Sequence, residues 1–204
     1  MKIIAVGMNY ANHNKEMHHS LFISEPVVFM KPDSALLKDG KPFFIPDFSS
    51  DIHYETEVVV RIGRLGKNIA EQFAHRYYDE VTVGIDFTAR DLQADLRKKG
   101  LPWEISKGFD GSAVTGDFVP LSEAGDVRKL DFHLDIDGNT VQYGNTADML
   151  FPVDRIIAYA SRFFTLKIGD LIYTGTPAGV GTVCIGNHLQ GFLGDRKLLD
   201  FHVR

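Results

Sequence analysis

Two glutamates, Glu55 and Glu57, stand two residues apart in the run Ile52-His53-Tyr54-Glu55-Thr56-Glu57-Val58-Val59-Val60-Arg61-Ile62. Read as one strand, the run puts Tyr54, Thr56, Val58, Val60 and Ile62 on one face and His53, Glu55, Glu57, Val59 and Arg61 on the other. At the usual rise the two carboxylates lie about 7 Å apart on that face. Like charges so placed repel unless something positive lies between them, and carboxylate oxygens are the ligands that Mg²⁺, Mn²⁺ and Ca²⁺ take. A solvated strand face, with Arg61 offsetting the charge, is the competing reading of this segment by itself. Asp86 adds a third carboxylate in Gly84-Ile85-Asp86-Phe87-Thr88-Ala89-Arg90-Asp91, where an apolar strand ends and a helix begins. Site residues gather at such junctions. A helix-capping role accounts for one aspartate there, but not for its combination with the glutamate pair.

Three further segments carry candidate chemistry. Lys107 follows Trp103 in an aromatic, glycine-bearing stretch, where an ammonium could hold an anionic substrate or steady developing negative charge. A surface lysine is the plain alternative. His13 and Glu16 are neighbours if Asn9 to Glu16 makes a helical turn. A carboxylate beside an imidazole fixes its tautomer and raises its basicity, as a general base acting on water requires. Gly169 to Gly181 reads as a strand entering a glycine-rich turn whose N–H groups could hold a carboxylate. It lacks the Lys-Ser/Thr of a Walker loop and no helix clearly follows it, so neither a phosphate loop nor a dinucleotide fingerprint is present.

These residues need a scaffold. Strands are expected at Ile3 to Val6, Val27 to Met30, Ile52 to Ile62, Val81 to Ile85, Lys129 to Ile136, Leu171 to Tyr173 and Leu198 to Val203, with a hairpin across Asp137-Gly138 to Thr140–Tyr143. Helices are fewer. Pro152 opens one with Val153, Ile156, Ile157, Ala160, Phe163 and Phe164 as its apolar stripe. Thr88 and Asp91 have capping-box spacing ahead of another, which ends in Arg97, Lys98 and Lys99 before Gly100 and Pro102. Cations in a last turn suit the helix dipole, and that accounts for this basic cluster. Ile69 to Tyr78 is a third helical segment. Strands outnumber helices without alternating with them, so the fold is α+β and mostly β.

Composition narrows the class. Lys+Arg 22 against Asp+Glu 27 gives a net charge of −5, and no basic groove speaks for nucleic acid or for a nuclease. No run approaches a membrane span, and the N-terminal apolar stretch is too short for a signal-peptide core. One cysteine, Cys184, permits no internal disulfide and is expected as a small buried hydrophobe. A soluble cytoplasmic protein without membrane or nucleic-acid partners is the expectation.

Together the segments Gly7 to Glu16, Tyr54 to Gly63, Gly84 to Gln93, Lys99 to Asp110 and Gly169 to Gly181 resemble, in order and spacing, the fumarylacetoacetate hydrolase family. Lys-Lys-Gly-Leu-Pro-Trp ending at Trp103 is most similar to its small acylpyruvase and oxaloacetate-decarboxylase branch. The resemblance implies one catalytic domain over residues 1–204, a mixed β-sandwich roll with a few short helices, and a homodimer. It implies Mg²⁺ or Mn²⁺ (Ca²⁺ as a substitute) on Glu55, Glu57 and Asp86. It assigns Lys107 to the substrate, His13 and Glu16 to a water-activating dyad on a lid, and Arg90, Gln93 and Thr176 to the site lining. Met8 departs from the Arg that some relatives carry in Gly-x-Asn-Tyr, which bears on the preferred substrate. The activity implied is hydrolysis of an acylpyruvate, a 1,3-diketo acid, at its C3–C4 bond through a pyruvate enolate. Oxaloacetate decarboxylation and 2-hydroxyhepta-2,4-diene-1,7-dioate isomerase-type tautomerisation are the alternatives. A silent, metal-dependent binding protein is the reading from another class.

Overall fold

A strand such as Thr56–Ile62, with valines pointing both ways, folds only if apolar cover exists on both of its faces. The computed structural model, which describes residues 1–17 and 23–204, shows how that cover is supplied. In chain order, β1 (Ile3–Gly7) leads into α1 (Ala11–Glu16), followed by β2 (Val27–Lys31), β3 (Leu36–Leu37), β4 (Ile52–Tyr54), β5 (Thr56–Ile62) and β6 (Tyr78–Asp86). The short β7 (Thr88–Ala89) runs into α2 (Arg90–Lys99) and the single turn α3 (Glu104–Lys107). Then come β8 (Ala113–Thr115), β9 (Val119–Pro120), α4 (Leu121–Ala124), β10 (Asp131–Ile136) and β11 (Asn139–Asn145). Last are α5 (Val153–Phe163), β12 (Leu171–Tyr173), β13 (Gly181–Thr182), β14 (His188–Leu193) and β15 (Arg196–His202).

The main sheet runs β2-β1-β12-β5-β6-β8-β3, with β9 also on β6. One face of β5, Val58, Val60 and Ile62, packs with Ile4, Val81, Val83 and Ile172 under Val153, Ile156, Ile157 and Ala160 of α5. The other face carries Val59 among Ile3, Ala5, Ala113 and Tyr173. A second sheet, β11-β10-β14-β15, and a third, β13-β4-β7, surround a cluster that includes Phe43, Phe87, Leu134 and Phe201. The α+β, mostly β expectation holds. Among the described residues no helix is long and apolar enough to cross a membrane.

Most expected elements are present, and the departures are specific. The single strand Ile52 to Ile62 is broken at Glu55: the Thr56 N–H donates to Gln142 Oε1 (3.0 Å), and β4 leaves to pair with β13 and β7. The capping box is absent. Ala89 occupies the N-cap of α2 without a side-chain bond, while Asp91 accepts from Ser49 Oγ (2.6 Å), the Ser50 N–H and the Leu92 N–H. The Ile69 to Tyr78 helix shrinks to a 3₁₀ segment at Glu71–Arg76, because Tyr78 already begins β6. Phe163 faces solvent rather than joining the α5 stripe, and Cys184 is exposed rather than buried. The hairpin forms as expected, with Asp137 and Gly138 both at positive φ (52° and 78°) in a two-residue turn.

Register then places the carboxylates. Glu57 pairs with Gly84 across β5 and β6, and the Asp86 N–H donates to the Glu55 carbonyl (2.9 Å). Glu55, Glu57 and Asp86 therefore leave one face at one end of the sheet. Gly84 keeps that face open: a Cβ there would meet the Val114 carbonyl oxygen at 2.6 Å and Val59 Cγ2 at 2.7 Å. We expect Gly84→Ala to destabilise the fold by about 1–3 kcal/mol, the cost of overpacking a core, read as a lower urea midpoint with an unchanged slope. A midpoint equal to wild type would show that β6 and β8 separate without strain.

Candidate metal and substrate site

Three buried carboxylates cannot share one corner of a protein without positive charge around them. Glu55, Glu57 and Asp86 each offer an oxygen within 4.8 Å of the others. Three cations meet them. Lys107, in the last position of α3, donates to Glu55 Oε2 and to Asp86 Oδ2, both at 2.7 Å. Lys31, at the end of β2, is 1% exposed; it pairs with Asp86 Oδ1 at 2.5 Å and donates to the Ser112 carbonyl (2.8 Å). Arg90, opening α2, donates to Glu55 Oε1 (2.6 Å) and to Gln93 Oε1 (2.7 Å).

The electrostatics divide the trio. Burial alone would raise the Glu55 carboxyl, but Lys107, Arg90 and His13 overcome it and hold Glu55 well below the usual carboxylate range. Burial likewise lowers Lys107, and Asp86 and Glu55 reverse that, so its ammonium is held above the ordinary lysine value. Lys31 goes the other way, because burial outweighs the attraction of Asp86 and Lys107 adds repulsion. Glu57 is pushed well above the carboxylate range by burial, then by Asp86 and Glu55. Its Oε2 accepts the Gly175 N–H (2.7 Å). An all-oxygen donor set with one carboxylate raised by its own neighbours fits a hard divalent cation, which would relieve the repulsion that the lysines leave at Glu57.

His13 and Glu16 do share one turn of α1, with Nδ1 3.2 Å from Glu16 Oε2. His13 lines a narrow cleft together with Glu55, Asp86, Arg90, Gln93 and Lys107. The glycine-rich turn after β12 does hold carboxylates with its N–H groups, but they are the protein's own: Gly175 bonds Glu57, and Gly179 bonds both oxygens of Glu16 at 3.2 Å. Thr176 stands apart from the cleft. Its hydroxyl donates to the Thr56 carbonyl (2.9 Å) and accepts from Gln142 Nε2 (2.8 Å), so it fixes the break between β4 and β5.

Two positioning residues escape a reading of the sequence. Lys31 ends an apolar strand and looks like an edge lysine; only the need to neutralise three buried carboxylates points to it. Asn9 is fully buried, donating to the Phe151 and Thr174 carbonyls and accepting the Phe151 N–H (2.8 Å). It ties the turn between β1 and α1 to the loop that carries Gly175.

The model of one family, described as Fumarylacetoacetate (FAA) hydrolase C-terminal, matches residues 2–204. The chain belongs to this family. Among fumarylacetoacetate hydrolase family members, the mouse oxaloacetate tautomerase FAHD1, mitochondrial, is 42% identical over 202 residues, covering 99% of this chain and 91% of the relative. The Escherichia coli oxaloacetate tautomerase YcgM is 41% identical over 189 residues, covering 92% of this chain and 86% of that one. A fumarylpyruvate hydrolase from Pseudomonas aeruginosa, solved in complex with Mn²⁺ and pyruvate, superposes with a TM-score of 0.93 at 36% identity, covering 100% of this chain and 89% of that chain.

The raised Glu57 carboxyl gives a pH dependence with a definite sign. The fold keeps the Glu57 proton to higher pH than the unfolded chain does, so the metal-free protein loses stability as pH rises from the ordinary carboxylate range through the raised value. A cation that binds the ionised trio reverses this loss. The gain in Tm on adding Mn²⁺ is therefore expected to be larger at about pH 8 than at about pH 5.5. Glu57→Gln should raise the Tm of the metal-free protein by a few degrees and remove the Mn²⁺ response. A Mn²⁺ response independent of pH would contradict this assignment.

Proposed function

We propose that the protein is a divalent-cation-dependent enzyme acting on 2-oxo acids, with oxaloacetate tautomerisation as its principal reaction. One observation carries this reading: His13, paired with Glu16, lines the same cleft as Glu55, Asp86, Arg90 and Lys107. The identity to two oxaloacetate tautomerases puts this reaction ahead of the acylpyruvate hydrolysis that the sequence by itself favours. Hydrolysis is the second reading, supported by the likeness to the fumarylpyruvate hydrolase.

Glu55, Glu57 and Asp86 would hold Mg²⁺ or Mn²⁺, with Ca²⁺ as a substitute. Such an ion supplies Lewis-acid polarisation of a 2-oxo group. The chain's own residues do the rest. Glu16 accepts the Nδ1 proton of His13, which leaves Nε2 to take a proton from C3 of the oxo acid. Glu16 then balances the imidazolium that forms. Lys107 and Arg90, steered by Gln93, keep positive charge at the floor of the cleft, where the substrate carboxylate and the developing oxyanion belong. Thr176 acts on this site through the Thr56 backbone. Delivery of the proton to oxygen gives the enol, and the reverse path gives the keto acid. In hydrolysis the same Nε2 takes its proton from the water that attacks C4.

The proposal extends to one catalytic domain over residues 1–204, which the span of the family match supports. It extends to a homodimer that covers the exposed Phe48 and Ile105 beside an apolar groove. A reducing compartment such as the cytoplasm suits the exposed thiol of Cys184.

The test is a turnover screen with Mg²⁺ and Mn²⁺ on oxaloacetate, acetylpyruvate and fumarylpyruvate, with tautomer and products identified. Chelation is expected to abolish turnover, and Mn²⁺ to restore it. His13→Ala should lower tautomerisation and hydrolysis by about 100-fold or more, while loss of CO₂ from oxaloacetate, which requires no base at C3 or at water, falls far less. Equal losses in all three reactions would sink this role for His13.

A further inference from the structure

Glu55 and Gln93 do not use all of Arg90. Its terminal nitrogens reach Gln93 Oε1 (2.7 Å) and Glu55 Oε1 (2.6 Å). Its Nε–H is buried and has no hydrogen-bond partner among the described residues. The ring of His53 shows the complementary gap, since its Nδ1 is buried and unpartnered too. A donor and an acceptor so enclosed each carry a desolvation cost, which one bond between them would remove.

The backbone brings these two side chains together. After the break at Glu55, β4 runs between β13 and β7, where His53 pairs with Thr182 on one side and with Thr88 on the other. The Arg90 N–H donates to the Asp51 carbonyl (2.8 Å), so the start of α2 is pinned to the start of β4. The Arg90 charge is felt at the ring: burial and then Arg90 hold the imidazole below its ordinary value against the pull of Asp51. Asp51 also decides which ring nitrogen is bare. Its Oδ1 lies 2.9 Å from His53 Nε2 and accepts the Thr182 hydroxyl (3.0 Å). A carboxylate only accepts, so the ring proton sits on Nε2 and Nδ1 keeps its lone pair.

We propose that His53 is a positioning residue for Arg90: its bare Nδ1 receives the Nε–H as Arg90 turns from Glu55 to the carboxylate of a 2-oxo acid. This rests on the 2-oxo acid reading above and deepens it. A substrate carboxylate competes with Glu55 for the same terminal nitrogen of Arg90. With that contact exchanged, Gln93 alone holds the guanidinium, by its other terminal nitrogen, and the plane is free to swing. A second anchor at Nε fixes the plane and keeps its outer edge on the ligand, which a planar, directional donor requires. Asp51, His53 and Arg90 then form one chain of contacts from the surface to the floor of the cleft.

Two substitutions separate the ring nitrogens. His53→Asn places an amide oxygen near the position of Nδ1, whereas His53→Gln reaches Asp51 and offers no acceptor at Nδ1. Heteronuclear NMR of the Mg²⁺-loaded protein follows the Arg90 Nε–H, assigned by its loss in Arg90→Lys. On adding pyruvate, its exchange with solvent should slow about tenfold or more in wild type and in His53→Asn, but not in His53→Gln. In kinetics, His53→Gln should raise KM for oxaloacetate about tenfold with kcat held within about threefold, and His53→Asn should recover most of that loss. In the Arg90→Lys background, His53→Gln should add less than about twofold, because the two residues act as one. Additive losses overturn the proposal, as does an unchanged KM in His53→Gln. A His53→Asn variant no better than His53→Gln marks a ring that only fills space, and overturns it as well. Should His53→Gln fail to fold, the wild-type signal decides, and an Nε–H whose exchange pyruvate leaves unchanged sinks the proposal. Failure of the 2-oxo acid reading shows separately, as wild-type protein that neither binds pyruvate nor turns over oxaloacetate, and it overturns both.

Discussion

The structure turns on the burial of three carboxylates beside three cations. Glu55, Glu57 and Asp86 project from the end of a sheet whose interior is valine and isoleucine, where an unmatched charge would not persist. Lys31 and Lys107 reach them from separate elements, β2 and α3, and Arg90 from a third, α2. Ser112 joins the two lysine-bearing segments, since its carbonyl accepts from Lys31 and its hydroxyl donates to the Lys107 carbonyl (2.8 Å). Elements distant in sequence are thus held to one point by charge, and the apolar packing beneath keeps that point rigid. Such an arrangement is a weak source of stability and a strong source of geometric definition.

Three carboxylates against three cations leave the cluster near neutral, and a divalent ion held there would give it excess positive charge that favours anionic ligands. The proposed base dyad sits on α1 outside the sheet, where Glu16 gives His13 a carboxylate partner one turn away.

Much of this was legible in the residue pattern. The pair at Glu55 and Glu57 has the two-residue period of a strand face, and Asp86 stands where an apolar run gives way to helix, so their convergence follows from local rules. His13 and Glu16 are one turn apart and need no tertiary information. The break at Glu55 was illegible because its cause, Gln142, lies on a hairpin 86 residues away. Lys31 was illegible because a lysine after an apolar strand has the same local signature whether it ends in solvent or in the core. Arg97 has the local signature of a helix-dipole charge; its neighbours Lys98 and Lys99 fit that reading, and only the packing of α2 against the cleft separates it from them.

The loop after β12 holds both halves of the proposed machinery with two amides four residues apart. Gly175 grips Glu57 of the proposed ion site, whereas Gly179 grips Glu16 of the proposed proton-transfer pair. Lifting α1 severs the second contact and leaves the first untouched. Solvent deuterium should therefore enter these two amides on separate clocks: one set by breathing of the whole sheet, the other by the traffic of substrate past α1.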